Sequence, residues 1–234
     1  MTVAPKVAEV RWDRAHRIIS TIHPPIDLFE DIADPEDWDS IMAGETITNS
    51  RALENVGQLA LVPAGRRVGG PGASYVMAPF THVNPAWAGR FHDGRQGAYY
   101  AANRFETAVA ETMFHRANIY RATAEEPGWF SQYRELVGSL DAILHDLRNR
   151  ERFAAELDPD NYSASQALGR SLRLQASDGV VYPSVRDIEG TCVAAFWPNV
   201  VSIPVQGRTL AYHFDGERID FIRDENNGDV FRVV

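Results

Sequence analysis

The stretch GRFHDGRQGAYYAANRFETAVAETMFHR (Gly89–Arg116) predicts a β-strand that runs directly into an α-helix. The strand is expected at GAYYAA (Gly97–Ala102), after a segment punctuated by glycines. Asn103 is a residue type that caps helices, and Glu106 follows three residues later, which together form a capping-box pattern. The helix is therefore expected to run from about residue 104 to residue 117.

The faces of these two elements are expected to differ. Tyr99 and Tyr100 are neighbours on the strand and point to opposite sides of a sheet, so we expect Tyr99 in the core. Glu111 lies outside the apolar stripe of the helix, which places its side chain toward solvent or toward a cleft. That stripe has the spacing of a helix packed on a core and comprises Phe105, Ala108, Val109, Thr112 and Met113.

The chain ahead of this stretch is expected to contribute little regular structure. Residues 1–12 are predicted to form a loose tail. HRIIST (16–21) is predicted to be a short strand or a helix end. Residues 23–57 are acidic and broken by prolines, which favours short helices, and Ser74–His82 is predicted to be extended.

The second half of the chain is expected to be rich in strands. Leucines at helical spacing predict a helix over 135–150, and Ser163 with Gln166 forms a second capping-box pattern that opens a helix to about Gln175. Asp215 and Gly216 predict a two-residue hairpin turn. Five strands are expected at GVVYPS (179–184), TCVAAFW (191–197), NVVSIPV (199–205), TLAYHF (209–214) and RIDFI (218–222).

This pattern predicts an α+β fold rather than a regular βαβ alternation. We expect one globular unit over residues 61–234, with residues 1–60 as an N-terminal extension of short helices packed on it.

Bulk properties exclude several classes of function. The 234-residue chain has a net charge of −9, so we expect no direct binding to nucleic acid or to anionic membranes. No apolar stretch approaches the ~20 residues of a membrane span, and the N-terminus lacks the pattern of a signal peptide. One cysteine, Cys192, fits a reducing cytoplasm, and its apolar surroundings predict a buried thiol rather than a nucleophile.

The common catalytic motifs are absent from the sequence. His82, His92 and His115 do not have the spacing of metal ligands, so no metal site is predicted. The glycine-rich segment 64–74 matches neither a P-loop nor a dinucleotide fingerprint, which favours a flexible connector. No nucleophile elbow is present, and Ser184 alone is as consistent with a turn serine as with a pocket residue.

The polar side chains of Gly89–Arg116 fit a different chemistry. An arginine before a loop, a strand with two tyrosines and a helix with Glu111 would bring a guanidinium, a phenol and a carboxylate together. Such groups bind a diphosphate, stack on a flat ring and stabilise a positively charged sugar in a transition state. The alternative is structural, with Arg90 as a surface cation, Tyr99 in the core and Glu111 as a solvated helix charge.

Two motifs taken together resemble the RES-domain proteins, which are named for an arginine, a glutamate and a serine. The first motif is Gly89–Arg116, and the second is SDGVVYPSVRDIEGTCVAAFWP (Ser177–Pro198). The shared pattern is Arg-Phe, Gly-x-x-Tyr-x-Ala, Thr-Ala-x-Ala-Glu and Tyr-Pro-Ser-x-Arg, in this order. The resemblance spans about Thr81–Pro204.

The resemblance implies a fold and an activity. The fold would be an ADP-ribosyltransferase-like core of small packed β-sheets surrounded by helices. The activity would be that of a bacterial toxin that consumes NAD by cleaving the nicotinamide–ribose bond, with inorganic phosphate or water as the acceptor. By position, Arg90, Glu111 and Ser184 match the family's arginine, glutamate and serine and would be catalytic.

The resemblance also implies roles for individual side chains. Glu111 would hold the ribose hydroxyls and stabilise the developing positive charge, and Arg90 would clamp the pyrophosphate. Tyr100 would stack on nicotinamide. Ser184 would hydrogen-bond the nicotinamide amide or an incoming phosphate. Three further candidates for binding NAD are Arg17, Arg186 and His115.

A toxin of this kind implies a partner that silences it. The expected partner is an Xre-like helix-turn-helix antitoxin, and the expected assembly is a homodimer within a toxin–antitoxin complex. Two alternatives stay open at this point. One is a protein mono-ADP-ribosyltransferase that uses NAD as the donor, and the other is a non-catalytic interaction protein that acts through its acidic N-terminal region.

Overall fold

The structure, a computed structural model, describes residues 4–21, 35, 37–40 and 57–232. Three α-helices lie wholly within these residues, and residues 38–40 are also helical. The α-helices are α1 (Ser74–Thr81), α2 (Phe105–Ala122) and α3 (Ser163–Leu174), and 3-10 turns occur at Leu59–Leu61, Ala64–Arg66 and Pro198–Val200. The strands are β1 (Val7–Ser20), β2 (Tyr99–Ala102), β3 (Trp129–Asp146), β4 (Gly179–Pro183), β5 (Thr191–Ala195), β6 (Val205–Phe214), β7 (Ile219–Asp224) and β8 (Val230–Arg232). The predicted α+β class is confirmed.

The strands join into one sheet in the order β1-β2-β5-β4-β3-β6-β7-β8. Because β1 also pairs with β3, the strands β1, β2, β5, β4 and β3 form a closed circuit of neighbours. The pairing of β3 with β4 is parallel, whereas the other pairings are antiparallel. The circuit places β2 and β4 on either side of β5, although some 80 residues separate β2 from the end of β4 in the sequence.

The first strand begins at Val7, so the loose tail predicted over residues 1–12 is wrong for residues 7–12. Strand β1 pairs with β3 from Val7–His145 to Ser20–Tyr133. It also pairs with β2 through His16 and Ala102. Pairing with β3 orders residues 7–12, and a local sequence pattern does not reveal this partner strand.

The helix predicted over residues 135–150 is also wrong, because most of this segment belongs to β3. Leu136, Leu140 and Leu144 are all buried. Their spacing of four residues fits a helix, but four is also a multiple of the two-residue period of a strand. The same leucines therefore lie on one face of a strand.

Ser74–His82, which was expected to be extended, forms α1 as far as Thr81. Pro79 lies inside this helix and removes one backbone donor, which makes the segment look unlike a helix. The buried side chains nevertheless have the i, i+3, i+4, i+7 spacing of a helix face and comprise Ala73, Val76, Met77 and Phe80.

The other predicted elements are mostly confirmed, with local differences. Four of the five strands in the second half form, whereas residues 199–205 contain the end of a 3-10 turn and an isolated bridge between Val201 and Leu140. The β6–β7 hairpin forms with a loop of four residues, 215–218, instead of two, and Asp215 N donates to Arg218 O across it.

Both predicted capping boxes are absent, since neither α2 nor α3 has a side-chain cap. Asn103 instead accepts a hydrogen bond from the backbone N–H of Thr191 on β5. The short helices predicted within residues 23–57 lie almost entirely outside the described residues.

Three apolar clusters pack on the sheet. The first packs α1 against β2 and β3 and includes Tyr99, which is 1% exposed, as predicted. The second includes Phe91, Tyr182 and Leu172 of α3. The third packs α2 against β6 and β7, and Ile18 of β1 contacts both the second and the third cluster. Among the described residues, no helix is long and apolar enough to cross a membrane.

Candidate functional site

A cavity of about 310 Å³ lies between α2 and the strands β1 and β2. This volume is at the lower end of the range for ligand-binding pockets. Five of the seven predicted site residues line the cavity, although they come from different parts of the chain. They are Arg17 of β1, Arg90, Tyr100 of β2, and Glu111 and His115 of α2.

Ser184 lies behind the cavity wall and holds Glu111 in place. Its hydroxyl donates a 2.6 Å hydrogen bond to Oε1 of Glu111. Oγ of Ser184 also accepts hydrogen bonds from the backbone N–H groups of Arg186 and Asp187, at 3.1 and 3.0 Å. Because these donors occupy the lone pairs of Oγ, its proton is directed to the carboxylate.

The burial of Ser184 changes its expected role. Its side chain is completely buried. A direct contact of this hydroxyl with nicotinamide or phosphate, as expected from the sequence, does not fit this geometry. Ser184 acts here through Glu111, whose carboxylate lines the cavity.

Arg90 is buried and firmly anchored. Its Nη1 donates to the backbone oxygens of Glu156 and Asp158 at 3.2 and 2.6 Å. Its guanidinium also lies 4.5 Å from the centre of the Tyr162 ring. Within the described residues its other nitrogens donate to no group, so they are available to an anion in the cavity.

Arg17 and Tyr100 form the wall opposite α2. Nη1 of Arg17 donates to the backbone oxygen of Tyr100, and the guanidinium lies 4.7 Å from the centre of the Tyr99 ring. Nε of Arg17 is buried and has no hydrogen-bond partner among the described residues. Burial lowers the pKa of Arg17, and the two tyrosines oppose that effect. An anion in the cavity would supply the missing charge partner.

The hydroxyl of Tyr100 is used structurally. It accepts a 2.9 Å hydrogen bond from the backbone N–H of Phe91, the residue next to Arg90. Burial raises the pKa of Tyr100, so its phenol is neutral. The ring is then free to contact a ligand with its face, while the hydroxyl fixes the segment that carries Arg90.

The two remaining candidates lie differently. His115 is exposed at the rim of the cavity. The guanidinium of Arg186 lies 3.3 Å from the centre of the Phe114 ring and lines a neighbouring groove of about 610 Å³. The structure therefore does not bring the Arg186 side chain to the cavity, and only its backbone N–H reaches the site through Ser184.

Several cavity residues were missed from the sequence. His16 pairs with the buried Glu135, which was assigned to a helix, so the pattern gave no signal for this contact. Trp87, at 68% exposure, lies in a turn without a motif. Cys192 lines the cavity but is 3% exposed, and burial raises the pKa of its thiol well above the ordinary value, which confirms the predicted buried thiol.

No group of three side chains with the chemistry of metal ligands is found among the described residues. The chemistry of the cavity is that of the two anchored arginines Arg17 and Arg90, a third arginine (Arg116), a tyrosine ring and a carboxylate held by a serine. Such an arrangement binds an anionic ligand and stabilises positive charge next to the carboxylate.

The chain is similar to a known protein family and to individual proteins. Residues 65–215 match the model of the RES domain family. The uncharacterized protein y4oC of Sinorhizobium fredii is 25% identical over 213 residues, which cover 90% of this chain and 86% of y4oC. The crystal structure of the M. tuberculosis MbcT–MbcA toxin–antitoxin complex contains a chain with a TM-score of 0.45 and 14% identity, over 90% of this chain and 87% of that one.

Proposed function

Because the chain belongs to the RES-domain family, we propose that it is a toxin that depletes NAD by cleaving the nicotinamide–ribose bond. The observation that carries this proposal is the 2.6 Å hydrogen bond from Ser184 to Glu111 at the wall of the cavity. A serine whose proton is committed to one carboxylate fixes the rotamer of that carboxylate and leaves its second oxygen free.

The fixed carboxylate suits the proposed bond cleavage. When the bond between C1′ and the nicotinamide nitrogen breaks, positive charge develops on the ribose in an oxocarbenium-like transition state. Glu111 holds the ribose hydroxyls and stabilises this charge. Because Ser184 orients the carboxylate before the substrate binds, little reorganisation is needed at the moment of reaction. Nicotinamide leaves as a neutral ring and requires no general acid.

The two arginines suit the remainder of NAD. Arg90 and Arg17 both line the cavity, and each is held by a backbone oxygen and an aromatic ring. An anchored guanidinium loses little conformational entropy when it binds a pyrophosphate. The ring face of Tyr100 stacks on nicotinamide in this proposal. The adenosine half of NAD then extends toward the mouth of the cavity, near Trp87.

The proposed toxin acts in the cytoplasm and is held inactive by a cognate Xre-like antitoxin, within an assembly that contains a toxin homodimer. A protein segment that covers the mouth of the cavity would block NAD directly. This part of the proposal follows from the family and not from a surface of the described residues.

Release of nicotinamide from NAD by the purified toxin, free of any antitoxin, tests the proposed reaction. Reactions with and without inorganic phosphate separate phosphorolysis from hydrolysis, and labelled NAD added to a cell lysate detects transfer of ADP-ribose to a protein. We expect nicotinamide release by the wild type and a loss of about 100-fold or more in Glu111→Gln.

Glu106→Gln is the matched control, because Glu106 lies on the same helix but is exposed and pairs with Arg104. Wild-type protein that folds, has no antitoxin bound and releases no nicotinamide would contradict the proposal. Labelled protein as the main product would favour the mono-ADP-ribosyltransferase instead.

A further inference from the structure

A buried histidine–carboxylate pair reaches the same cavity from the side of β1. We propose that His16 is the general base that takes the proton of an attacking water, so that hydrolysis is a built-in activity of this site. This proposal rests on the NAD cleavage proposed above and names the acceptor that this cleavage leaves open.

The pair is tightly held. Nδ1 of His16 lies 2.6 Å from Oε1 of Glu135, and both side chains are nearly inaccessible to solvent. Glu135 also accepts hydrogen bonds from the backbone N–H and the guanidinium of Arg208, each at 3.2 Å. A Cβ on Gly207 would lie only 2.7 Å from Oε2 of Glu135, so the glycine makes room for the carboxylate.

The protonation states follow from these contacts. Burial by itself raises the pKa of Glu135, but the hydrogen bonds from His16 and Arg208 and the charge of Arg208 outweigh burial and lower it. Glu135 is therefore ionised and only accepts hydrogen bonds. Nδ1 of His16 must then be the donor in this hydrogen bond, so Nε2 is the nitrogen of the ring that can exchange a proton with a molecule in the cavity.

The free nitrogen lies on the cavity side of the sheet. His16 pairs with Ala102 across β1 and β2, and paired residues project to the same face. Both residues line the cavity that contains Glu111. Within the described part of the chain, Nε2 has no hydrogen-bond partner, so it is available to a molecule in the cavity. A carboxylate that fixes the tautomer of a histidine is the arrangement used in hydrolytic triads.

The charges around His16 are arranged in two groups. Behind it, Arg208 of β6 lies between Glu135 of β3 and Asp224 of β7, with its Nε 3.6 Å from Asp224. In the cavity lie Arg17, next to it on β1, and the α2 residues Glu111, His115 and Arg116 on the opposite wall. A proton that arrives on Nε2 is therefore stabilised by Glu135 through the ring and by Glu111 through the cavity.

The proposed step exchanges one bond at C1′ and moves one proton. The oxygen of a water molecule forms a bond to C1′ of the ribose while one O–H proton moves to Nε2 of His16. The bond from C1′ to nicotinamide breaks, and its electron pair stays on the ring nitrogen, which becomes neutral. The imidazolium then returns its proton to solvent. The products are ADP-ribose, nicotinamide and one proton. Inorganic phosphate carries a negative oxygen and needs no such base.

The test measures two products separately, ADP-ribose from hydrolysis and ADP-ribose 1″-phosphate from phosphorolysis. His16→Asn keeps an N–H near the position of Nδ1 for Glu135 and removes Nε2. We expect this variant to lose about 100-fold or more of ADP-ribose formation and to keep phosphorolysis within about threefold of the wild type. His213→Asn is the matched control, because His213 forms a similar pair with Asp220 at 2.5 Å on the outer hairpin.

A second variant, His16→Gly, tests whether added imidazole can replace the missing side chain. Added imidazole should restore its ADP-ribose formation and should have no such effect on Glu111→Gln. A structural role for His16 predicts that both products fall together and that imidazole restores neither, and this result would overturn the proposal. Unchanged ADP-ribose formation in His16→Asn, or a wild type that cleaves NAD only with phosphate, would also overturn it while the proposed NAD cleavage stands. A wild type that releases no nicotinamide refutes both.

Discussion

Thr107 Oγ1 donates a 2.5 Å hydrogen bond to Oδ2 of Asp187, which ties the first turn of α2 to the loop after β4. A Cβ on Gly190 would lie 2.2 Å from the same Oγ1, so the helix and the loop touch at a second point. Glu111 is one turn further along α2, and Ser184 begins the loop. This contact therefore sets the separation of the serine and the carboxylate that it orients.

Removal of this contact should weaken both stability and catalysis. Thr107→Val keeps the shape of the side chain and deletes the donor to a charged group, which costs about 1.5–3 kcal/mol of unfolding free energy. We expect a lower kcat with little change in KM, because Ser184 and Glu111 separate while the arginines stay in place. Thermal melting and steady-state nicotinamide release check this. Thr123→Val, at the exposed end of the same helix, is the control. Equal melting temperatures and equal kcat values in the two variants would show that the Thr107–Asp187 contact does not position Glu111.

Glu111 and Ser184 should behave as one unit. Glu111→Gln removes the charge, whereas Ser184→Ala removes the hydrogen bond that orients it and the acceptor of the backbone N–H groups of Arg186 and Asp187. We expect the Ser184→Ala loss to be smaller, and the double variant to be no worse than Glu111→Gln alone. A double-mutant cycle on kcat/KM measures this coupling. Additive losses would mean that Ser184 acts on the substrate independently of Glu111.

The anchored guanidinium of Arg90 should determine the affinity for NAD. Lysine has one ammonium group and no planar fork, so Arg90→Lys loses the bidentate geometry and also the contact with the Tyr162 ring. We expect a dissociation constant for NAD about tenfold higher, measured by calorimetry in a Glu111→Gln background that does not consume the ligand. Arg95→Lys, an exposed position in the same segment, should leave binding unchanged. Equal affinities for NAD in Arg90→Lys and Arg95→Lys would show that Arg90 does not bind NAD.

The ring and the hydroxyl of Tyr100 should have separable effects. Tyr100→Phe leaves the backbone N–H of Phe91 without its acceptor, which costs about 1–3 kcal/mol of stability, while the ring face remains. We expect a lower melting temperature with KM for NAD nearly unchanged. Tyr100→Leu should lower the melting temperature and also raise KM for NAD. A Tyr100→Phe variant with normal stability would show that the hydroxyl is not holding the Arg90 segment.

Acid should destabilise the protein through His92. Burial lowers the pKa of His92 to about 4, Arg173 adds to this effect, and Asp93 opposes it. The unfolded chain titrates near the ordinary value of about 6.5, so between these two values the unfolded state binds more protons. The free energy of unfolding therefore falls as pH falls through this window. His92→Gln should flatten that slope in urea unfolding at several pH values, and an unchanged slope in this variant would contradict the prediction.

The helix and the strand that carry the site were predictable because their signals are local. Tyr99 and Tyr100 diverge to opposite faces by strand geometry alone, and Glu111 stands outside the apolar stripe of its helix. The matched family motifs then pointed to Ser184, which the structure brings within hydrogen-bonding distance of Glu111. These predictions depend on spacing within a few residues or on a motif, and both are visible in a single sequence.

The parts that failed depend on contacts between distant segments. His16 and Glu135 are 119 positions apart, and each looks unremarkable in its own segment. Glu135 was assigned to a helix because a leucine every fourth residue satisfies two periods at once. The side chain of Arg186 contacts the Phe114 ring and donates to the backbone oxygen of Pro159 instead of lining the cavity, and neither partner belongs to the motif that contains Arg186. His16 and Glu135 meet because β1 pairs with β3, a pairing between strands that are far apart in the sequence.

The order in which the chain is synthesised determines when the hydrogen bond between Ser184 and Glu111 can form. Glu111 leaves the ribosome 73 residues before its partner, and the loop that carries Ser184 is held against α2 by contacts of Asp187 and Gly190, which follow later still. A nascent or prematurely terminated chain that ends before this loop contains the arginines and the carboxylate but not the group that orients the carboxylate. The proposed activity therefore requires a chain that is complete at least as far as this loop.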